Sequence, residues 1–362
     1  MATRKRFYYN NAVVYASSGG ATGDHFNSGT SGVNLLRQIH RAQSVSTDIT
    51  INRQDINQLG ELAGKRKIID PATVGFNFAY YLTDGSNESK LGFSTVNTQS
   101  CIADIIRGTK EEKNYFILQV GEGEDAMKTS DYTPTERNAH IVAALGNGFI
   151  NSWALEASVG GIPTVTIGGD ALNAAFYTGS TDLASPAINP SDGSQVTGKP
   201  FTIPFATTGA MVDCLRPGDM VLSLGGNLPF GGPEINTLNV QSVSLNVPLD
   251  REDQNKIGTN FPNAKLITFP LTATLDITAD VTNFTTGNLA SIFCATESRD
   301  VSVTFKKPCN GPVQFILEGK GMELDSQSVS LDIGSNESVD ISFSVQIGGP
   351  NDTGKGIFFS GI

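Results

Sequence analysis

The chain has 362 residues, 39% hydrophobic and 17% charged, with 36 acidic against 25 basic residues and a net charge of −11. That is apolar enough to fold and long enough for two separate cores, which excludes wholesale disorder. The acidic balance argues against a protein that grips nucleic acid through a broad basic face, since the chain carries no extended basic stripe, only short runs such as Arg4–Lys5–Arg6 at the start.

From the start, MATRKRFYYNNAVVY lacks the continuous apolar stretch of a secretory signal, and no run of 18 apolar residues follows that would make a membrane-spanning helix. Phe7–Tyr15 reads as a strand and Ala16–Gly32 as a Gly/Ser loop. In Leu35–Ile51, Val45, Thr47, Ile49 and Ile51 alternate with Ser44, Ser46, Asp48 and Thr50, the period of a half-buried strand. Arg53–Ala63 reads as a loop with a short helical turn, and Val74–Leu82 as the returning strand of a hairpin. Thr98–Ile106 suits a short helix with Ile102, Ile105 and Ile106 on one side, Tyr115–Val120 a core strand, and Gly121–Arg137 an acidic loop. Gly148–Val159 and Ile162–Ile167 close this part of the chain. Residues 168–205 are rich in Gly, Ser, Thr, Asn and Pro and read as a linker or surface excursion.

Gln43–Ile69 recurs as Gln241–Ile267, without a gap and with ten of 27 residues identical. Further apparent echoes follow: Leu266–Ile277 alternates as a return strand, Asn288–Cys294 falls where the short helix is expected, Phe315–Leu317 repeats Phe116–Leu118, and Ile347–Gly349 repeats Ile167–Gly169. The expected architecture is mainly β, a tandem duplication of one β-sandwich or barrel with a short flanking helix per copy. Its parts are a first domain at 1–170, a linker or excursion at 171–205 and a second domain at 206–362.

Catalytic, cofactor and metal sites are expected to be none. His25, His40 and His140 have no metal spacing, and His25 and His140 read as solvated. Cys101, Cys214, Cys294 and Cys309 include no CxxC pair and read as small buried thiols. Glu122, Glu124 and Asp125 lack the alternating ligand spacing of a calcium loop. Gly193–Lys199 and Gly349–Lys355 have the Gly-x4-Gly-Lys spacing of a phosphate loop. They are followed by Pro200 and Gly356 where a hydroxyl is needed, so they read as turns. Arg53, Asp55 and Asn57 recur as Arg251, Asp253 and Asn255. An enzyme seldom needs its site twice, whereas a subunit junction does; these six residues read either as assembly contacts or as residues that order their own loops.

The run RQIHRAQSVSTDITINRQDINQLGELAGKRKIIDPATVGFNFAYYLTDGSNESKLGF, with YFILQVGEGEDA and GNGFINSWALEASVGGIPT, resembles the major tail tube proteins of tailed bacteriophages. The resemblance implies a β-sandwich or barrel whose sheets join into rings that stack into a tube. With two tube domains per chain it implies a homotrimer of pseudo-sixfold symmetry, with a homohexamer as the alternative. The partners implied are the chain itself and other tail proteins such as terminator, tape measure and distal tail or baseplate proteins. Viral DNA would pass through the lumen without specific binding, and the protein would be made in the host bacterial cytoplasm and reside in the virion. On this reading the hairpins Gln43–Leu82 and Gln241–Ile277 build the ring, the Arg53–Leu62 and Arg251–Pro262 loops touch a neighbour, and Met1–Gly32 stacks rings. Two alternatives remain: a single-ring hub, terminator or baseplate protein of the same fold, and a carbohydrate-binding β-sandwich adhesin.

Overall fold

Alternating side chains set the architecture. In Thr73–Tyr81, Val74, Phe76, Phe78 and Tyr80 are buried and the residues between them are more exposed. The computed structural model describes residues 11–17, 36–56, 59–60, 65–68, 71–108, 111–121, 125–128, 130–196, 200–208, 219–225, 232–233, 239–280, 284–285, 298–307, 311–330 and 338–361.

The chain is mainly β, with three short helices among the described residues. Its first part contains β1 (Ala12–Ser17), β2 (Leu36–Ile39), β3 (Ala42–Thr50), β4 (Arg53–Ile56), β5 (Lys65–Ile68) and β6 (Thr73–Tyr81). Then come α1 (Ser86–Leu91), α2 (Ala103–Ile106), β7 (Glu112–Gln119), α3 (Pro134–Ala139), β8 (Ile141–Ser158) and β9 (Thr164–Thr178). The rest is β10 (Met220–Ser223), β11 (Gly232–Pro233), β12 (Asn239–Pro248), β13 (Arg251–Gln254), β14 (Ala264–Ile267) and β15 (Thr272–Asp280). It ends with β16 (Phe284–Thr285), β17 (Arg299–Lys306), β18 (Val313–Ser330), β19 (Ser338–Gln346) and β20 (Gly356–Gly361).

All named pairings are antiparallel, and among the described residues one sheet of 14 strands runs through both parts. In the first part the order is β2-β1-β7-β8-β9-β6-β3. In the second it is β10-β17-β18-β19-β15-β12. Strand for strand, β1, β7, β8, β9, β6 and β3 occupy the places of β10, β17, β18, β19, β15 and β12. The irregularities coincide too. Gln43 is the unpaired residue of a bulge in β3, and Gln241 of a bulge in β12. Each sends its side-chain amide to the carbonyl two residues back, Arg41 and Asn239. The β7–β8 ladder breaks at Asn114 and the β17–β18 ladder at Asp300. There Asn147 N–H donates to Asn114 Oδ1 at 2.9 Å, and Gly321 N–H to Asp300 Oδ1 at 3.1 Å. Asn147 (φ 54°) and Gly321 (φ 67°) are both left-handed, a conformation glycine and asparagine adopt most readily. Asn151 and Asp325 are matching unpaired positions further along β8 and β18.

This correspondence corrects three sequence echoes. Phe116–Leu118 lies in β7 and Phe315–Leu317 in β18, which hold different places in the sheet. Ile167 matches Ile341, not Ile347, because each stands opposite the matching residue of β6 or β15, Phe78 or Ile277. The returning strand of the small hairpin is shifted by one: Asp55 stands opposite Arg66, and Asp253 opposite Lys265. Three-residue apolar matches recur in any β-rich chain, whereas ladder breaks fix register.

Arg53–Ile56 is strand rather than a helical turn, since β4 pairs β5. The expected helix at Thr98–Ile106 shortens to Ala103–Ile106, while that at Asn288–Cys294 lies outside the described residues. Helices α1 and α3 add to the one expected in this part of the chain. In α3 the Thr133–Pro134–Thr135–Glu136 run makes a capping box with Pro at the first turn, a signal present in the acidic stretch read as loop.

Residues 168–178 continue β9 rather than opening a linker. The segment after it lies across one face of the first part. Leu183, Ala187, Ile188, Phe201 and Ile203 are buried, and Phe201 meets Phe116 edge-on at 5.1 Å. Tyr15 Oη donates to Pro204 O at 2.9 Å. Gly146 is needed under this segment, because a Cβ there would overlap the Pro186 carbonyl. On the other face one apolar cluster unites both parts, with Trp153, Leu155, Val243, Leu245, Leu275 and Phe343 in it.

Candidate assembly interface

Among the described residues, the contacts that join the two parts of the chain include three sets that bear on assembly. First, β12 adds to the C-terminal half of β8, with Val243 opposite Ala157, Leu245 opposite Leu155 and Val247 opposite Trp153. All six are buried. Second, β20 lies under the helical segment of the first part. Phe359 packs on Trp153 at 4.8 Å and on Phe93 at 6.2 Å, and Cys101 N–H donates to Ile357 O at 2.7 Å. Arg107 reaches across to Asn351 Oδ1 at 2.9 Å and Pro350 O at 3.2 Å.

Third is Arg251, at the start of β13, whose side chain is 2% exposed. Its Nε donates to Ile150 O at 3.1 Å, and its Nη1 donates to Lys265 O at 3.0 Å and pairs with Glu111. The guanidinium sits 5.2 Å from the centre of the Phe149 ring. Burial pulls its pKa below the ordinary guanidinium value, and the Glu111 carboxylate opposes that shift. The planar fork suits this site because one donor set reaches a backbone carbonyl and a carboxylate at once.

The other expected contact residues are placed differently. Asp253 pairs with Lys265 at 3.1 Å, and Lys265 also approaches Asp170 at 3.9 Å. Asp253, Asn255 and Asp170 line a polar groove of about 610 Å³ that Asn52 and Thr73 border from the first hairpin. Arg53 and Asp55 are exposed on β4. Asn57 lies outside the described residues. Arg53, the counterpart of the most enclosed charge at the junction, thus stands in solvent. Glu111, Phe149, Trp153 and Phe359 complete the junction, and neither motif nor spacing distinguishes them in the sequence.

The same imbalance runs along the strand edges. Among the described residues β3 pairs with β6 alone, and the residues of β18 from Glu323 to Ser330 pair with β19 alone. Ile49 is 45% exposed in β3, whereas its counterpart Val247 is fully buried. Val329 is 44% exposed in β18, and its counterpart Leu155 is fully buried.

Other polar groups are built into the interior. Tyr80 Oη donates to Glu88 Oε1 at 2.8 Å, and burial pushes the Glu88 carboxyl up to about 7. His140 is buried, not solvated: Ser180 Oγ lies 2.8 Å from its Nδ1, and Tyr132 packs edge-on at 4.7 Å. The reason is that α3 ends at His140, whose carbonyl accepts from Gly179 N–H at 2.8 Å, so the ring is enclosed by Ser180 and Tyr132. His25 lies outside the described residues, as do Glu122, Glu124, Cys214, Cys294 and Cys309. Cys101 is buried, and burial raises its thiol pKa. In Gly349–Lys355, Asp352 Oδ1 accepts from Gly354 N–H at 2.9 Å, a side-chain-closed turn. No three His, Cys, Asp or Glu gather at metal-binding distance among the described residues. No protein-family model matches the chain, and neither does any curated protein.

Proposed function

We propose that this protein is a tandem duplication of a tail-tube-like β domain and that it assembles into stacked rings forming the channel through which a phage genome is ejected. The observation that carries this reading is the addition of β12 to β8, which joins two parts of equal strand order edge to edge. A unit that repeats by edge addition, with an open edge left at each side, continues until it closes. On this reading three chains complete the ring, each filling two places, and the expected partners are further copies and the proteins at the ends of the tube. The net charge of −11 suits a conduit that DNA must traverse without sticking.

Negative-stain electron microscopy of the purified full chain tests the proposal. Hollow tubes of uniform width are expected. Discrete rings that do not stack would favour a single-ring hub, terminator or baseplate protein, and particles that never assemble would overturn both.

A further inference from the structure

The internal junction serves as a template for a second one. Its two sides, β12 and the C-terminal half of β8, have counterparts that among the described residues are each paired on one side alone: β3, with β6, and β18 from Glu323 to Ser330, with β19. We propose that β3 of one copy adds antiparallel to this half of β18 in a second copy, in the register that β12 keeps with β8. The counterpart of Ser244 is Ser46 and that of Glu156 is Ser330, so Ser46 stands opposite Ser330. Thr47 then stands opposite Val329, Asp48 opposite Ser328, Ile49 opposite Gln327 and Thr50 opposite Ser326.

Exposure and charge agree with this occupant. Ile49 and Val329, both exposed, become buried as Val247 and Leu155 already are. Arg53 is carried to the place that Arg251 holds. Phe149, over which Arg251 lies, is matched by Glu323, so Arg53 meets an exposed carboxylate instead of a ring. Leu324 O replaces Ile150 O as acceptor, by the same register. Phe176 is the counterpart of Phe359, because Ala143 opposite Phe176 matches Leu317 opposite Phe359. It is carried onto Gln327 of the second copy, which stands where Trp153 does. A lone strand edge pairs with many things; here both edges, an arginine and an aromatic all match a junction the chain already makes.

The proposal rests on the ring reading only for the number of copies that close. The test is disulfide trapping in the full chain. T47C/V329C and D48C/S328C sample adjacent pairs, one of which is a non-hydrogen-bonded pair with the closer Cα spacing. At least one should give covalent oligomers that dissolve under reductant, measured against the unaltered chain. Mixing T47C with V329C as separate chains should stop at covalent dimers. I51C/V329C, four residues out of register, should stay monomeric on a denaturing gel. Failure of both in-register pairs, or equal trapping out of register, overturns the junction. Arg53→Glu should reduce assembly at least tenfold, and Arg53→Glu with Glu323→Arg should restore it; no restoration removes that ion pair from the proposal. Trapped rings that never stack would sink the tube reading and keep the junction, while tubes without trapping would do the reverse.

Discussion

Phe176 and Phe359 occupy matching positions beside β8 and β18, yet Phe176 is 66% exposed and Phe359 fully buried. The difference is a partner. Phe359 has Trp153 and Phe93 of the first part against it. The two rings should therefore report different equilibria. Phe359→Ala should cost about 3–5 kcal/mol of unfolding free energy. Phe176→Ala should leave the unfolding midpoint of the isolated chain within error and weaken self-association. Denaturant unfolding and sedimentation separate the two, and a large loss of monomer stability in Phe176→Ala would contradict the assignment.

Arg251 and Arg53 make a second matched pair. Removing Arg251 leaves Glu111 without its partner and strands the Ile150 carbonyl, so Arg251→Ala should destabilise the fold by about 3 kcal/mol. Arg53→Ala should change monomer stability by no more than about 0.5 kcal/mol, as for an exposed side chain. A double-mutant cycle of Arg251→Ala with Glu111→Ala should show coupling of at least about 1 kcal/mol, since the two groups touch. Additive effects would mean that Arg251 acts through Phe149 and the carbonyls alone.

Much of the architecture was legible because its cause is local. Alternation in 73–81 and 272–280 specifies strands, and the Arg-x-Asp-x-Asn recurrence places equivalent hairpins. What escaped depends on distance. The offset between matching strands changes along the chain, since the connections differ in length, so Phe116–Leu118 and Phe315–Leu317 misled while Asn114 and Asp300 were silent. Residues 171–178 run Ala-Leu-Asn-Ala-Ala-Phe-Tyr-Thr without a clean apolar–polar alternation, and the strand they form owes its place to β8. At the interface, the sequence picks out Arg251 but not the difference between it and Arg53, because burial is a property of the partner surface.

His140 predicts an acid limb in stability. Burial, then the nearby Arg137 charge, lowers its pKa from 6.5 to about 4, with Glu136 opposing and Lys128 adding to the shift. In the unfolded chain it binds a proton near pH 6.5, so between about pH 6.5 and 4 the unfolded state takes up more protons than the folded one. Stability should fall by about 2 kcal/mol as pH drops through that window and be complete above it. His140→Asn, which keeps a polar group near Ser180, should flatten this limb in denaturant melts. A profile unchanged by the substitution would show that His140 is not the group responsible.

Glu88 should act with the opposite sign. Its carboxyl is fully buried in α1, accepts from Tyr80 Oη, and Oε2 has no hydrogen-bond partner among the described residues. Burial raises its pKa from 4.5 to about 7, with the Tyr80 hydrogen bond opposing. A raised carboxyl pKa means the folded state holds a proton that the unfolded state has released. Its contribution is whole below about pH 4.5 and is lost as pH rises through about 7. At pH 8 the folded chain encloses a carboxylate, at a cost of about 3 kcal/mol relative to acid conditions. Glu88→Gln keeps an acceptor for Tyr80 and cannot ionise. It should match the unaltered chain at pH 4.5 and exceed its stability at pH 8 by about that amount, read from urea midpoints at the two pH values. Equal midpoints at pH 8 would place the Glu88 carboxylate in a solvated setting, contrary to its burial beneath β6.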